Sequence, residues 1–273
     1  MTTTSVSALI SKFNASLRRD GLTKSLAQVI NYLNDRLAAR STRKKWALIS
    51  KSGEIQNKFN IIYNSNLWEN TESVSGSGST LIYTENLRKE LPELLKRFSV
   101  KRVFDAPCGD FNWVRHLLPK VDIDYVGGDI VRPLIDSLQK KHGNKKVSFI
   151  HVDLTKDRFP NSDLMMCRDC LFHLSFADAR LVLKNYVDSK IPYLLTTTYQ
   201  NEGAFSNRDI VTGDFRLIDL YASPFNFPTS PLACIDDWIP PHAKRQMCLF
   251  SRAQVSEALK IVDSAGSMGL HSS

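Results

Sequence analysis

The sequence predicts an α/β protein built on a Rossmann-like, mostly parallel seven-stranded sheet with an antiparallel edge hairpin and an N-terminal helical extension. Three observations predict it. Along residues 101–129, KRVFDAPCGDFNWVRHLLPKVDIDYVGGD, a β-branched and aromatic run ends on Asp105, a tight turn follows at Ala106-Pro107-Cys108-Gly109, and a second strand closes on Asp129. Downstream, short β-type runs alternate with helical periodicity, as parallel βαβ units require. At 273 residues and 42% hydrophobic content, the chain can bury a full core as one main domain with an appendage.

Residues 1–50 read as a basic arm. Leu22, Leu26, Val29, Ile30, Leu33 and Leu37 fall on one helical face, and the cluster RSTRKKW follows at 40–46. This arm holds +7 of the net charge of +8 and the rest of the chain only +1. A basic amphipathic segment suits an anionic membrane surface or an acidic partner, and equally suits packing on its own domain. An enzyme acting on nucleic acid would spread its positive footprint over the domain that does the chemistry, so nucleic acid is not the expected partner.

Residues 51–98 form a cap ahead of the sheet: an aromatic-rich segment at 57–68, a flexible polar loop SVSGSGST at 73–80, and a helix over 83–95. Residues 99–262 form the cofactor-binding domain. The turn after Asp105 leads into an apolar-periodic segment through Trp113, His116 and Leu117, expected to be helical. A helix follows over 131–142, a third strand over 147–153 ending on Asp153, and a fourth over 163–169 ending on Asp169. A crossover helix over 176–187 and a threonine-rich fifth strand over 192–199 come next. The stretch 201–241 is rich in Pro and Asn/Asp without a long helix. A long connection of this kind inside a compact α/β domain is usually functional, and it would lie over the carboxyl ends of the strands, where ligands bind. Two strands over 232–239 and 245–251, a helix over 252–261 and a disordered tail at 263–273 complete the chain.

No unbroken apolar run reaches the roughly 18 residues of a membrane span, and the N-terminus lacks the features of a secretory signal. The expectation is a soluble cytoplasmic protein, peripheral to the inner membrane face if the arm docks there. Five cysteines, Cys108, Cys167, Cys170, Cys234 and Cys248, are odd in number and suggest buried thiols in a reducing compartment. Cys167 and Cys170 match C-x-x-C without the second pair of a zinc ribbon, so no metal site is expected.

A strand, a tight glycine turn and a second acidic strand end about 20 residues on let backbone amides approach a ligand while a carboxylate takes a ribose diol. Pro107 and Phe111 stand where a dinucleotide fold places glycines, which argues against NAD or FAD. S-adenosylmethionine (SAM) carries no phosphate, and one glycine suffices for its amino-acid portion.

The runs DAPCGDFNW at 105–113, CRDCLFHLSF at 167–176, LTTTY at 195–199 and NRDIVTGDFRLIDL at 207–220 together resemble the class I SAM-dependent methyltransferases. Within them they are similar to a bacterial group found beside glycosyltransferases in polysaccharide gene clusters. The resemblance covers residues 68–251. It implies that Asp105, Cys108 and Gly109 meet the methionine end of SAM, that Asp129 holds the ribose hydroxyls, and that Asp153 and Leu154 face the adenine. By association it implies methylation of a glycan hydroxyl. A small-molecule or lipid O- or N-methyltransferase is the alternative, and a non-catalytic SAM-fold subunit recruiting a glycosyltransferase is a third reading.

Methyl transfer to a hydroxyl needs alignment and a general base. Arg168, Asp169 and His173 sit at the fourth strand end, with His173 the candidate base and Asp169 orienting it or binding the acceptor. Arg208, Asp209, Asp214 and Arg216 on the long loop are candidate acceptor contacts. The N-P-P-Y type element of enzymes that methylate exocyclic base nitrogens is replaced by Cys167-Arg168-Asp169-Cys170.

Overall fold

The computed structural model describes residues 46–201 and 205–268. The chain divides into a unit of residues 1–51 and one of residues 52–273. Of the first unit only 46–51, a helical segment, is described, so the expected amphipathic stripe at 22–37 lies outside the described residues.

The second unit opens with helices α1 (Ile55–Asn64) and α2 (Glu85–Arg97). The strands follow: β1 (Arg102–Asp105), β2 (Asp124–Asp129), helix α3 (Arg132–His142), β3 (Val147–His151), β4 (Leu164–Cys167), helix α4 (Phe176–Asp188) and β5 (Tyr193–Tyr199). After the long connection come β6 (Ala233–Asp236), β7 (Arg245–Ser251) and helix α5 (Arg252–Met268). The sheet order is β3-β2-β1-β4-β5-β7-β6. β1 to β5 pair in parallel, and β7 runs antiparallel to both β5 and β6. The chain moves outward from β1 to β3 and then restarts at β4 on the other side of β1. That reversal opens a crevice beyond the carboxyl ends of β1 and β4.

The period-2 alternation of the strands divides the core between two faces. Phe104, Val126, Met165, Leu194 and Phe250 pack with Val182 and Tyr186 of α4 and Val255 of α5. Val103, Tyr125, Leu164, Met166 and Leu249 pack with Leu87 and Leu91 of α2 and Leu134 and Leu138 of α3. The central strands are therefore covered on both sides, as expected of parallel strands reading as apolar runs.

Several boundaries differ from the sequence reading. Only two short 3₁₀ turns, Val114–His116 and Leu118–Lys120, follow the glycine turn in place of a helix. Phe111 stands at φ 60°, in the left-handed region, and Pro119 stops α-helical continuation. β3 and β4 end two residues early, which leaves Asp153 and Asp169 in the turns beyond them. The last helix continues to Met268, past the expected end at 261 and into the stretch expected to be disordered. Cys234 and Cys248, directly opposed across β6 and β7 with Cα atoms 4.2 Å apart, are joined by a disulfide. That corrects the expectation of buried thiols only; Cys108, Cys167 and Cys170 are free and buried. No helix among the described residues is long and apolar enough to cross a membrane.

Candidate active site

The crevice holds a cavity of about 540 Å³. Its β1–β2 end is lined by Asp105, Cys108, Gly109, Asp129, Asp153 and Leu154, and its β4–β7 end by Arg168, Asp169, His173, Tyr199 and Arg245. The six residues expected around a cofactor and the three expected around the chemistry thus face one space.

Gly109 turns the chain at φ 54°, and a Cβ there would run into the Ser75 hydroxyl, so glycine is needed for both conformation and close approach. Its N–H donates to Asp129 Oδ2 at 3.2 Å while the Val131 N–H donates to Oδ1 at 3.0 Å. Each oxygen keeps lone-pair capacity toward the cavity. Burial raises the Asp129 carboxyl above its ordinary range despite these bonds. Asp105 is also buried and accepts from the Tyr125 hydroxyl at 2.6 Å. Burial pushes it up to about 7, with the Tyr125 bond opposing. Among the described residues neither carboxyl is in an ion pair. The Cys108 thiol is pushed well up by burial and the neighbouring carboxylates, so it stays protonated.

Asp153 is more committed. Although burial opposes its charge, hydrogen bonds from Thr155 and Lys156 hold its carboxyl below the ordinary value. Oδ1 accepts from the Thr155 N–H at 2.9 Å and hydroxyl at 2.6 Å, and Oδ2 pairs with Lys156 at 3.1 Å. Its first task is to close the turn after β3, and the side chain next to it, Leu154, supplies apolar lining.

The segment Ser73–Ser79 covers this end of the cavity and is tied down rather than free. The Asp110 carboxylate accepts from the Ser73 hydroxyl at 3.0 Å and the Val74 N–H at 2.9 Å, and the Asp110 N–H donates to Ser75 Oγ at 3.0 Å. From the other side, Arg168 Nη2 donates to the Gly78 carbonyl at 2.7 Å.

At the β4–β7 end, three buried charges, Arg168, Asp237 and Arg245, and the half-buried Asp169 close on one another. Arg168 grips Asp237 with Nε and Nη2, both at 3.0 Å, and reaches Asp169 with Nη1 at 3.3 Å. Arg245 meets Asp169 at 2.9 Å and Asp237 at 3.2 Å. Burial works against the charge on Asp169, but the two guanidiniums hold its carboxyl below the usual range. Asp169 also stands at φ 53°, and its N–H donates to Thr197 Oγ1 at 3.0 Å. A residue whose oxygens are held by two arginines does not take up protons, so its part is positioning. Arg168 has the same character: a buried clamp between the Ser73–Ser79 segment and the sheet.

His173 ends the 3₁₀ turn Leu171–His173. Its ring is 2.8 Å, through Nδ1, from the Asp214 carbonyl. A carbonyl only accepts, so Nδ1 carries the hydrogen and the neutral ring presents Nε2 as a lone-pair base. Burial lowers its pKa, with the Asp214 carbonyl opposing, which keeps the ring neutral at neutral pH.

The four loop residues expected to touch an acceptor lie outside the cavity lining. Arg208 is exposed. Asp209 accepts from the Phe176 and Ile210 N–H groups, capping the start of α4. The Asp214 side chain accepts from the Phe215 N–H. Arg216 is buried, stacks over Phe176 at 4.7 Å and donates to the Leu171 carbonyl. The loop nonetheless shapes the site: Gly213 and Arg216 N–H groups donate to the carbonyls of His173 and Phe172, and Phe215 and Leu217 face the cavity. Sequence reasoning missed Asp237 and Arg245. Arg245 is in phase with buried Met247 and Leu249 on β7, and Asp237 with Ile235 on β6, and a charge on an apolar strand face must find a partner.

By sequence, the chain matches no family model and no curated protein. By structure, it is similar to 1,6-didemethyltoxoflavin-N1-methyltransferase of Burkholderia thailandensis, at 13% identity and TM-score 0.51, over 76% of this chain and 89% of that one. Magnesium protoporphyrin IX methyltransferase of Synechocystis PCC 6803 follows at 11% identity and TM-score 0.48, over 78% and 94%. The SAM-dependent methyltransferase SibL aligns at 13% identity and TM-score 0.47, over 62% of this chain and 55% of SibL, so the match spans about half of that protein. The fold is the Rossmann-like fold of class I methyltransferases.

Proposed function

We propose that this protein is a SAM-dependent methyltransferase acting on a small-molecule acceptor, with His173 as general base. The observation that carries the reading is the pair of buried carboxyl groups, Asp105 and Asp129, at the base of the cavity, neither of them in an ion pair among the described residues. Uncompensated buried carboxyls are costly unless a ligand completes them. SAM bears both a cationic amino group and a ribose diol, so Asp105 would hold the methionine end and Asp129, with its two oxygens fixed by backbone donors, the ribose hydroxyls. Gly109 gives the backbone close approach, Leu154 supplies an apolar face for the adenine, and Asp153 bounds that end. The B. thailandensis neighbour was crystallised with S-adenosylhomocysteine and 1,6-didemethyltoxoflavin bound, in keeping with a crevice that takes cofactor and acceptor together.

When bound, SAM supplies an activated methyl group on a sulfonium. His173 Nε2 takes the proton from the acceptor, Asp169 and the arginines hold the far wall, and the covered crevice keeps water from competing. The sugar hydroxyl implied by the sequence resemblance is one acceptor within this reading, and no cavity residue singles it out. The test is titration of the full chain with S-adenosylhomocysteine by calorimetry. Saturable binding that is lost in Asp129→Ala supports the reading, and equal binding by the variant rejects the cofactor assignment.

A further inference from the structure

The acceptor side of the cavity carries rings where a site for a charged substrate would carry free cations. The His173 imidazole lies 5.4 Å from the Trp68 ring, with planes 31° apart, and 5.9 Å from Phe215. Phe172 and Tyr199 back Phe215 at 5.5 and 6.4 Å. All five side chains line the same cavity. Phe215 is 45% exposed although it is a large apolar ring, so much of its surface is left uncovered by the rest of the fold. Among the described residues the lining holds two lysines or arginines, Arg168 and Arg245, and both are neutralised by Asp169 and Asp237 at 2.9–3.3 Å. A phosphate or pyrophosphate group, as on a nucleotide sugar or a lipid-linked precursor, would find no unpaired cation in that wall.

The geometry points to an uncharged planar aromatic acceptor bearing an acidic hydroxyl, held against Trp68 and Phe215 with that hydroxyl at His173 Nε2. This rests on the methyl-transfer reading and narrows its substrate. Aromatic walls favour flat partners by offset and edge contacts. A base works best on a proton whose acidity approaches its own. The burial that keeps His173 neutral also makes it a weak base, which suits a phenol-like O–H, near the tyrosine value of about 10, better than the far less acidic hydroxyl of a sugar. In the step, the aryl O–H gives its proton to Nε2, an O–CH₃ bond forms as the methyl C–S bond of the sulfonium breaks, and sulfur keeps the electron pair. The products are an aryl methyl ether and S-adenosylhomocysteine.

The full chain, first shown to bind S-adenosylhomocysteine, is titrated with catechol, with an uncharged methyl hexoside and with a UDP-hexose, and is then incubated with each plus methyl-labelled SAM. The expected result is saturable binding of catechol to the loaded protein, quenching of tryptophan fluorescence, and label transfer at least tenfold faster to catechol than to either sugar. Phe215→Ala and Trp68→Phe should each weaken catechol binding about tenfold while the S-adenosylhomocysteine Kd changes less than twofold. Failure of S-adenosylhomocysteine to bind overturns the underlying reading. Binding of S-adenosylhomocysteine with a sugar preferred, or with no saturable catechol binding, overturns the aromatic assignment alone.

Discussion

At the β1–β2 end of the cavity Asp105 and Asp129 are buried and, among the described residues, in no ion pair, whereas at the β4–β7 end Asp169 and Asp237 are matched by Arg168 and Arg245. The first end gains by receiving positive charge and hydrogen-bond donors. The second has spent its charges internally and offers shape and rings. On the proposed reading, binding and chemistry are divided between two halves of the sheet on either side of the β1/β4 reversal, and each half can be disturbed separately.

The sharpest separation is expected from His173→Ala. Loss of a general base costs roughly 10²- to 10⁴-fold in rate, so kcat should fall by that much while calorimetry finds S-adenosylhomocysteine bound as before. Undiminished turnover would remove His173 from the chemistry. Asp129→Ala acts at the other end: losing two charge-assisted bonds to the ribose should weaken S-adenosylhomocysteine about a hundredfold. Asp110→Ala comes next. This side chain does not line the cavity but anchors Ser73 and Val74, so a loss of about tenfold in SAM affinity is expected from one or two lost charge-assisted bonds; an unchanged Kd would mean that the remaining bonds, from the Asp110 N–H, Asn112 and Arg168, hold the segment without the carboxylate.

A smaller effect should follow pH. The Asp105 carboxyl, raised from the ordinary 3.8 to about 7, binds its proton more tightly folded than unfolded. Its cost to stability therefore grows as pH rises between those two values and is constant above them. Cofactor binding has the opposite sign, because the ionised form attracts the cationic methionine end. SAM affinity measured by calorimetry should rise roughly fivefold from pH 6 to pH 8, and Asp105→Asn should flatten that rise. The smallest effect is expected of Arg208→Ala, an exposed residue outside the lining, with kcat/KM within about twofold. A large loss there would restore the loop charges as acceptor contacts.

The strands were legible because Val103-Phe104, Tyr125-Val126 and the Thr196–Thr198 run carry β-type side chains, and their order follows from connection rules. The acidic strand ends were legible because Asp105 and Asp129 stand at fixed distances around one glycine. The missing helix after β1 was harder to see: Phe111 keeps a left-handed conformation that usually marks glycine, at a cost of about 1 kcal/mol or more, because its ring packs on Tyr125 and Phe149 at 5.3 and 5.0 Å. The loop charges Asp209 and Asp214 were read as acceptor contacts since their type suggests ligands, yet their neighbours in space are backbone N–H groups, which sequence spacing does not reveal. Asp237 and Arg245 reach the site only through the antiparallel return of β7, a long-range pairing with no local signature.

That return also sets an order of events on the ribosome. A nascent chain that has emerged only as far as β5 already holds every side chain named at the β1–β2 end, whereas Asp237 and Arg245 follow later in the sequence. Without them Arg168 lacks its bidentate carboxylate partner and Asp169 its second arginine. The wall beside His173 is therefore complete only once β7 pairs with β5 and brings the charges that close it.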